Sequence, residues 1–221
     1  MPLRSLPFLA FLCLAPFALA DVTYDVTINT SSISGTSGAL DFNFNPGPLM
    51  TQPASLQILD FMSDGTLAAC AANIQGFCPT GDVTGTLPGT LTFDNGSGLN
   101  DYFTGFTFGS ILSFEVRLYG PAVASPDGTA TSGSTFAFSM FSDAAGTVPA
   151  LTTDTTNGFA ATIDVNLDGT TTVNNSSSQT TISPLSPSPG PVPEPSSLVL
   201  LATVMLAGVY LQRQRAHRKN G

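Results

Sequence analysis

The sequence predicts an all-β fold: a single antiparallel β-sandwich or jelly roll, followed by a disordered linker and one C-terminal hydrophobic helix. Three observations carry this reading. Short segments alternate apolar and polar residues with the period of a strand. Clusters of Gly, Pro, Asn and Asp separate them at short intervals. Between residues 21 and 173 signals for helices are scarce.

The alternation is plainest at the start of this region. Val22-Thr-Tyr24-Asp-Val26-Thr-Ile28 sets apolar side chains on one face and polar ones on the other, and Leu40-Asp-Phe42-Asn-Phe44 repeats the pattern. Further strands are expected at Ser55–Phe61, Gly81–Leu87, Gly89–Phe93, Phe103–Phe108, Leu112–Tyr119, Thr135–Phe141, Phe159–Leu167 and Thr170–Val173. Turns are expected at Asn45-Pro-Gly-Pro48, Asp64-Gly65, Asp94-Asn-Gly96, Pro126-Asp-Gly128 and Asp168-Gly169. A sandwich buries one face of each sheet, which is what alternation supplies. Residues 21–173 are long enough to build one core of this kind. Ala68–Ile74 reads either as a short helix or as a loop.

From Asn174 to Pro191 the texture changes to Ser, Thr, Asn and Pro, with no alternating apolar set. This stretch is expected to be a disordered or polyproline-like linker. Its physical use is reach.

Both ends of the chain read as processing segments. Met1-Pro2-Leu3-Arg4 is a short positive region, Leu6–Leu19 is apolar, and Ala18-Leu19-Ala20 is a small-residue cleavage site before Asp21. Residues 1–20 therefore read as a signal peptide, with signal peptidase as the processing enzyme and Asp21 as the new first residue. Cys13 lies within the apolar region without the small residues a lipoprotein site needs. At the other end stand Val192-Pro193-Glu194-Pro195-Ser196-Ser197, an apolar run Leu198–Leu211, and a tail 212–219 with Arg213, Arg215, Arg218 and Lys219. Pro193 and Pro195 hold Glu194 on an extended, helix-free strip. Ser196 or Ser197 then caps the helix that follows. Fourteen helical residues span about 21 Å, short against a hydrocarbon core of roughly 30 Å. The basic residues favour the cytoplasmic side and place everything upstream outside.

This ordered trio resembles the PEP-CTERM sorting domain of proteins exported by Gram-negative bacteria. The resemblance covers residues 192–219. It implies an exosortase, a membrane-embedded cysteine peptidase, as the enzyme that reads Pro193, Glu194 and Pro195. It further implies a precursor anchored in the inner membrane and a product at the cell surface or in the extracellular matrix. Exopolysaccharide is the partner class associated with that family. The body is also similar, more loosely, to uncharacterised Asp- and Gly-rich domains found beside such tails.

Composition narrows the chemistry. Residues 21–197 hold fifteen acids against one base, Arg117. Such a surface repels nucleic acid, whose binding rests on Lys and Arg. It also repels anionic lipid and acidic polysaccharide unless cations bridge them. The same residues contain no His, Lys or Trp, since His217 and Lys219 lie in the tail. Ser–His and Cys–His nucleophiles need an imidazole, and Schiff-base chemistry needs Lys. Carboxylate chemistry of the glycosidase type is what remains. Most of the Asp residues, however, sit beside small polar residues, as turn formers do. No catalytic residue and no cofactor is therefore assigned. Cys70 and Cys78 remain after signal removal, and in an exported chain they are expected to form a disulfide. A loop this small contributes about 2.5 kcal/mol in the chain-entropy model.

Three features invite a functional reading and have a structural counterpart. Asp164-Val-Asn166-Leu-Asp168-Gly169 matches the first half of a calcium loop, but position twelve is Asn175 rather than a bidentate acid. The same residues read better as a hairpin, with Ile163, Val165 and Leu167 facing the core and Asp168-Gly169 at the turn. Asn100–Phe108 is the most aromatic stretch, and sugar stacking is its functional reading. With no Trp and with Phe106 and Phe108 two apart, core packing is the expected role. Glu115 and Arg117 share a strand face and are expected to pair locally or across strands. The expected protein is a non-enzymatic exported surface or matrix protein. A carbohydrate- or calcium-binding module is the alternative, and a carboxylate glycosidase the second alternative.

Overall fold

The computed structural model describes residues 21–69, 78–185 and Thr203. The strands in chain order are β1 (Val22–Asn29), β2 (Ser37–Pro46), β3 (Ser55–Ser63), β4 (Thr66–Leu67), β5 (Cys78–Thr80), β6 (Val83–Gly85), β7 (Leu91–Asp94), β8 (Asp101–Thr107), β9 (Ile111–Tyr119), β10 (Ser134–Phe141), β11 (Phe159–Val165), β12 (Thr171–Asn175) and β13 (Thr180–Leu185). One helical turn, α1 (Pro121–Ala124), follows β9. The first sheet runs β13-β1-β9-β3-β7-β6, and the second runs β12-β11-β10-β2-β8-β4 with β5 also on β8. Every strand pairing is antiparallel.

The two sheets pack face to face, and period-two alternation fills the space between them. Tyr24, Val26 and Ile28 of β1, Leu56 and Ile58 of β3, and Leu112, Phe114, Val116 and Leu118 of β9 point inward from the first sheet. Leu40, Phe42 and Phe44 of β2 and Phe136 and Phe138 of β10 meet them from the second. At the centre Phe114 of one sheet stands 5.2 Å from Phe42 and 5.1 Å from Phe138 of the other, ring centre to ring centre. Tilted and edge-on contacts of this kind add about 0.5–1.5 kcal/mol each beyond the area they bury. The expected all-β sandwich is what the chain adopts.

Several boundaries differ from the expectation. The strands expected at Gly81–Leu87 and Gly89–Phe93 shrink to β6 and β7. Strand β5 and helix α1, of three and four residues, are too short to show a period. Leu167, expected to face the core, is 50% exposed, because β11 ends at Val165 and Leu167 already stands in the turn. The largest correction concerns the linker expected from Asn174. Asn174 and Asn175 belong to β12, and Thr180–Leu185 forms β13 along the edge of the first sheet. Strand β13 pairs with β1 from Thr23↔Leu185 to Ile28↔Thr180. Its polar composition hid it: as an edge strand it needs one backbone ladder and only Ile182 packed against the core. Residues 186–191, the rest of the expected linker, lie outside the described residues.

The β13 pairing has a direct consequence for stability. A chain ending at Ser178 leaves the outer edge of β1 unpaired, whereas one ending at Leu185 keeps it. The shorter chain is expected to melt lower by roughly 4 °C or more in a calorimetric scan. Equal melting temperatures would mean that β13 does not stabilise the domain.

Candidate functional site

The residues with the clearest predicted roles fall outside the described residues: Ala18 and Ala20, Cys70, Pro193, Glu194 and Pro195, and the basic Arg213, Arg215, Arg218 and Lys219. Thr203, within the expected hydrophobic helix, is helical. No helix among the described residues is long and apolar enough to cross a membrane.

Asp21 is described, and it is held in place. Arg117 of β9 donates to its carboxylate from Nε at 2.9 Å and again from its terminal NH2 group. The other terminal nitrogen of Arg117 donates to Gln57 of β3 at 3.2 Å, and the guanidinium lies 5.3 Å over the Tyr119 ring. Of the local and cross-strand pairings expected for Glu115 and Arg117, Arg117 makes a cross-strand one, with Asp21. The reason is register. Thr23 stands opposite Arg117, so Asp21 lies one diagonal step away on the same face, while Glu115 stands opposite Asp25. The one base of the body anchors the residue where the exported chain is expected to begin.

The calcium-loop candidates do not converge. Asp164 accepts from Thr135 Oγ1 at 2.6 Å and from Asn174 Nδ2 at 3.1 Å. Asn166 donates to Thr170 and Thr172. Asp168 accepts from the backbone N–H of Thr170 at 3.0 Å and from its hydroxyl at 2.6 Å. Each oxygen serves the β11–β12 hairpin, and Gly169 at φ +82° makes its turn. Among the described residues no group of three or more His, Cys, Asp or Glu side chains is placed to hold a metal. The aromatic stretch is likewise structural: Tyr102, Phe103, Phe106 and Phe108 are all buried. The Tyr102 hydroxyl accepts the backbone N–H of Leu87 at 3.1 Å. Cys78 is buried and carries no free thiol.

Five aspartates, exposed or half-buried, behave as turn formers. Asp127, Asp143 and Asp154 accept backbone N–H groups just downstream, and Asp168 accepts chiefly the Thr170 hydroxyl and then its N–H, which holds all four carboxyls below the usual range. Asp64 is brought down to about 2, chiefly by the Ser110 hydroxyl and then by the backbone N–H groups of Ile111 and Ser110. It ties the turn after β3 to the turn before β9.

One pair of acids departs from this habit, and the sequence reading passed over it. Asp41 of β2 and Asp101 of β8 sit on the outer face of the second sheet, where Asn43 stands opposite Asp101 and Asp41 is a diagonal step away. That face is covered. Ala39, Phe103 and Phe141 form a small apolar cluster there, with the Phe rings 6.2 Å apart. The loop after β10 closes over it so tightly that a Cβ on Gly146 would lie 2.6 Å from the Phe103 ring. Burial pushes Asp41 up to about 9, helped by its hydrogen bond to Asp101 and the charge there. Burial also raises Asp101, partly offset by that same bond. The Oδ1 atoms of both are shut off from water with no hydrogen-bond partner among the described residues, while the Asn43 side chain hydrogen-bonds Asp41 and partly offsets the rise. A proton shared between the carboxyls would supply one of these oxygens with the donor it lacks.

Such a dyad has the electronic form of an acid–base pair, and among the described residues it lies beneath the Phe103–Phe141 cluster. Neither of two surface cavities reaches it. The larger is an open groove of about 580 Å³ lined by Phe61, Met62, Asp64, Leu67, Pro88 and Phe106 among others. Its one carboxylate, Asp64, is committed to the Ser110 and Ile111 amides.

The family model for the PEP-CTERM protein-sorting motif matches residues 191–215. The chain thus carries that motif where the ordered trio stands, which supports an exported protein addressed to an exosortase. No curated protein and no solved structure matches the chain.

The dyad makes stability depend on pH. The native state keeps a proton on Asp41 up to about pH 9, whereas the unfolded chain releases it near 3.8. Between those values the native state binds more protons, so stability falls as pH rises, by up to about 1.4 kcal/mol per pH unit. Asp41→Asn keeps a neutral donor beside Asp101. It is expected to raise the urea midpoint at pH 7 and to flatten its decline between pH 4 and 8. An unchanged slope would exclude the shared proton.

Proposed function

We propose that the chain is a non-enzymatic protein of the cell surface or extracellular matrix, exported by its signal peptide and cut by an exosortase at its C-terminal tail. The observation that carries this reading is the sorting-motif match at residues 191–215. The body supports it by what it is built for. Its aspartates close turns, its aromatics fill the core, and its one guanidinium pins Asp21. Residues 21–197 offer no imidazole or primary side-chain amine for nucleophilic chemistry. Their excess of acids keeps such a domain soluble outside the cell.

The Asp21–Arg117 pair favours a mature chain that begins at Asp21. Signal peptidase is its first processing enzyme, and the inner membrane holds the precursor until the tail is cut. Exopolysaccharide is the matrix partner this reading places nearest the product. A Cys70–Cys78 bridge belongs to the same reading, since the Cys78 sulfur is bonded and export favours oxidation.

Glu194→Ala is expected to leave uncut precursor in the membrane fraction, with surface delivery reduced severalfold. Surface delivery at the wild-type level would refute exosortase processing. Intact-mass measurement of the wild-type product is expected to show a chain beginning at Asp21, lacking its basic tail, and 2 Da lighter than the dithiol. A mass that includes residues 1–20, or two free thiols, would count against the corresponding step.

A further inference from the structure

The outer edge of β3 is only half used. Strand β7 pairs with it from Ser55↔Asp94 to Ile58↔Leu91 and reaches no further. The turn between β6 and β7 leaves the sheet there, with the Leu87 N–H donated to the Tyr102 hydroxyl of the second sheet. Residues 59–63 therefore pair with β9 on one side and, among the described residues, with no strand on the other. A bulge interrupts this stretch, with Asp60 at φ +50°, a left-handed conformation that costs free energy in any residue but glycine. Bulges can protect an edge. This one restores the pairing with β9 at Met62↔Ser113 and leaves Phe61 inward and Met62 outward, the alternation that a further strand would meet. The open groove of about 580 Å³ lies along these residues. Phe61, Leu67 and Phe106 line it from between the sheets. Met62 and Ile111, 68% and 49% exposed, line it from the outer face of the first sheet.

We propose that this edge binds an extended cationic peptide as an added strand of the first sheet, with apolar side chains between the sheets and basic ones on the outer face. Such binding is independent of how the chain is sorted. An added strand supplies backbone partners to the free ladder, and the groove receives every second side chain. Charge selects the peptide. Glu115 stands opposite both Leu59 and Asp25, two residues beyond Ser113 of the groove and on the same face. Like charges directly opposite are destabilising, and the one base of the body, Arg117, is paired with Asp21. Asp64 stands at the other end of the groove, where it accepts the Ile111 N–H and keeps its charge at neutral pH. The four residue steps of β9 from Ile111 to Glu115 span about 13 Å. Bases four apart on one face of a strand match that span. The body of a second copy cannot supply them, since residues 21–197 hold one base.

The full chain in phosphatidylcholine nanodiscs, with empty nanodiscs as the blank, is titrated into fluorescent acetyl-Lys-Val-Thr-Val-Lys-amide at low ionic strength. A saturable rise in anisotropy is expected, with affinity roughly tenfold or more weaker when both Lys of the peptide become Glu. N-methylation of both Val amides blocks one edge of the peptide, and N-methylation of the Thr amide blocks the other. One of these is expected to lower the affinity roughly tenfold and the other to spare it. Met62→Glu is expected to bind roughly tenfold more weakly than Leu49→Glu, which keeps the wild-type affinity. Circular dichroism checks that both variants keep the sandwich. No saturable binding, equal binding of the Glu peptide, an equal response to the two N-methylations, or wild-type affinity in Met62→Glu each overturns the proposal. So does a peptide-free dimer in light scattering that Met62→Glu dissolves, which makes a second copy the occupant.

Discussion

Phe42, Phe114 and Phe138 meet at the centre of the molecule, and the rest of the sandwich depends on keeping them dry. Phe114 comes from one sheet and the other two rings from its partner, all within 5.2 Å of one another. Three rings from three strands can meet in this way only if β2, β9 and β10 hold register. A one-residue slip would send each ring to the opposite face. Strands β1 and β3 pair with β9, and β8 pairs with β2, so the ladders transmit that register outward. Edge strands can then be short and polar, because they inherit a position already set.

This explains which parts of the fold were legible. Alternation is a statement about one buried face, and wherever a strand contributes to the central core it was readable from Val22, Leu40 or Leu112 onward. Strand β13 contributes Ile182 and little else, so its run of Thr and Ser resembles the Pro-rich sequence that follows. The Asp21–Arg117 pair was hidden for a related reason. Residue spacing along one strand leaves a local and a cross-strand partner open for Arg117, and the alignment of β1 with β9, which no local pattern carries, selects Asp21.

The Asp41–Asp101 dyad shows the other limit of alternation. In Leu40-Asp41-Phe42-Asn43-Phe44 the acid falls on the polar face, and a polar face is normally wet. Here the second sheet is covered on both sides over part of its area, because the long loop between β10 and β11 returns across Phe103 and Phe141. A visible sign existed: Phe103 and Phe141 occupy polar-face positions of their own strands. Large aromatics on both faces of neighbouring strands mark a sheet that something covers, and any acid beneath that cover must be neutralised or paired.

The revised C-terminal boundary changes what kind of substrate the sorting motif belongs to. A linker beginning at Asn174 would put seventeen residues, 174–190, between the folded domain and the motif match. With β13 zipped onto β1, ordered structure continues to Leu185, and the motif match begins at residue 191. Five residues, 186–190, are then all that separate the last described strand from the motif match. The same pairing sets Leu185 opposite Thr23, so the described body begins and ends at one edge of the first sheet, and the chain that leads to the motif departs beside the residue that Arg117 holds.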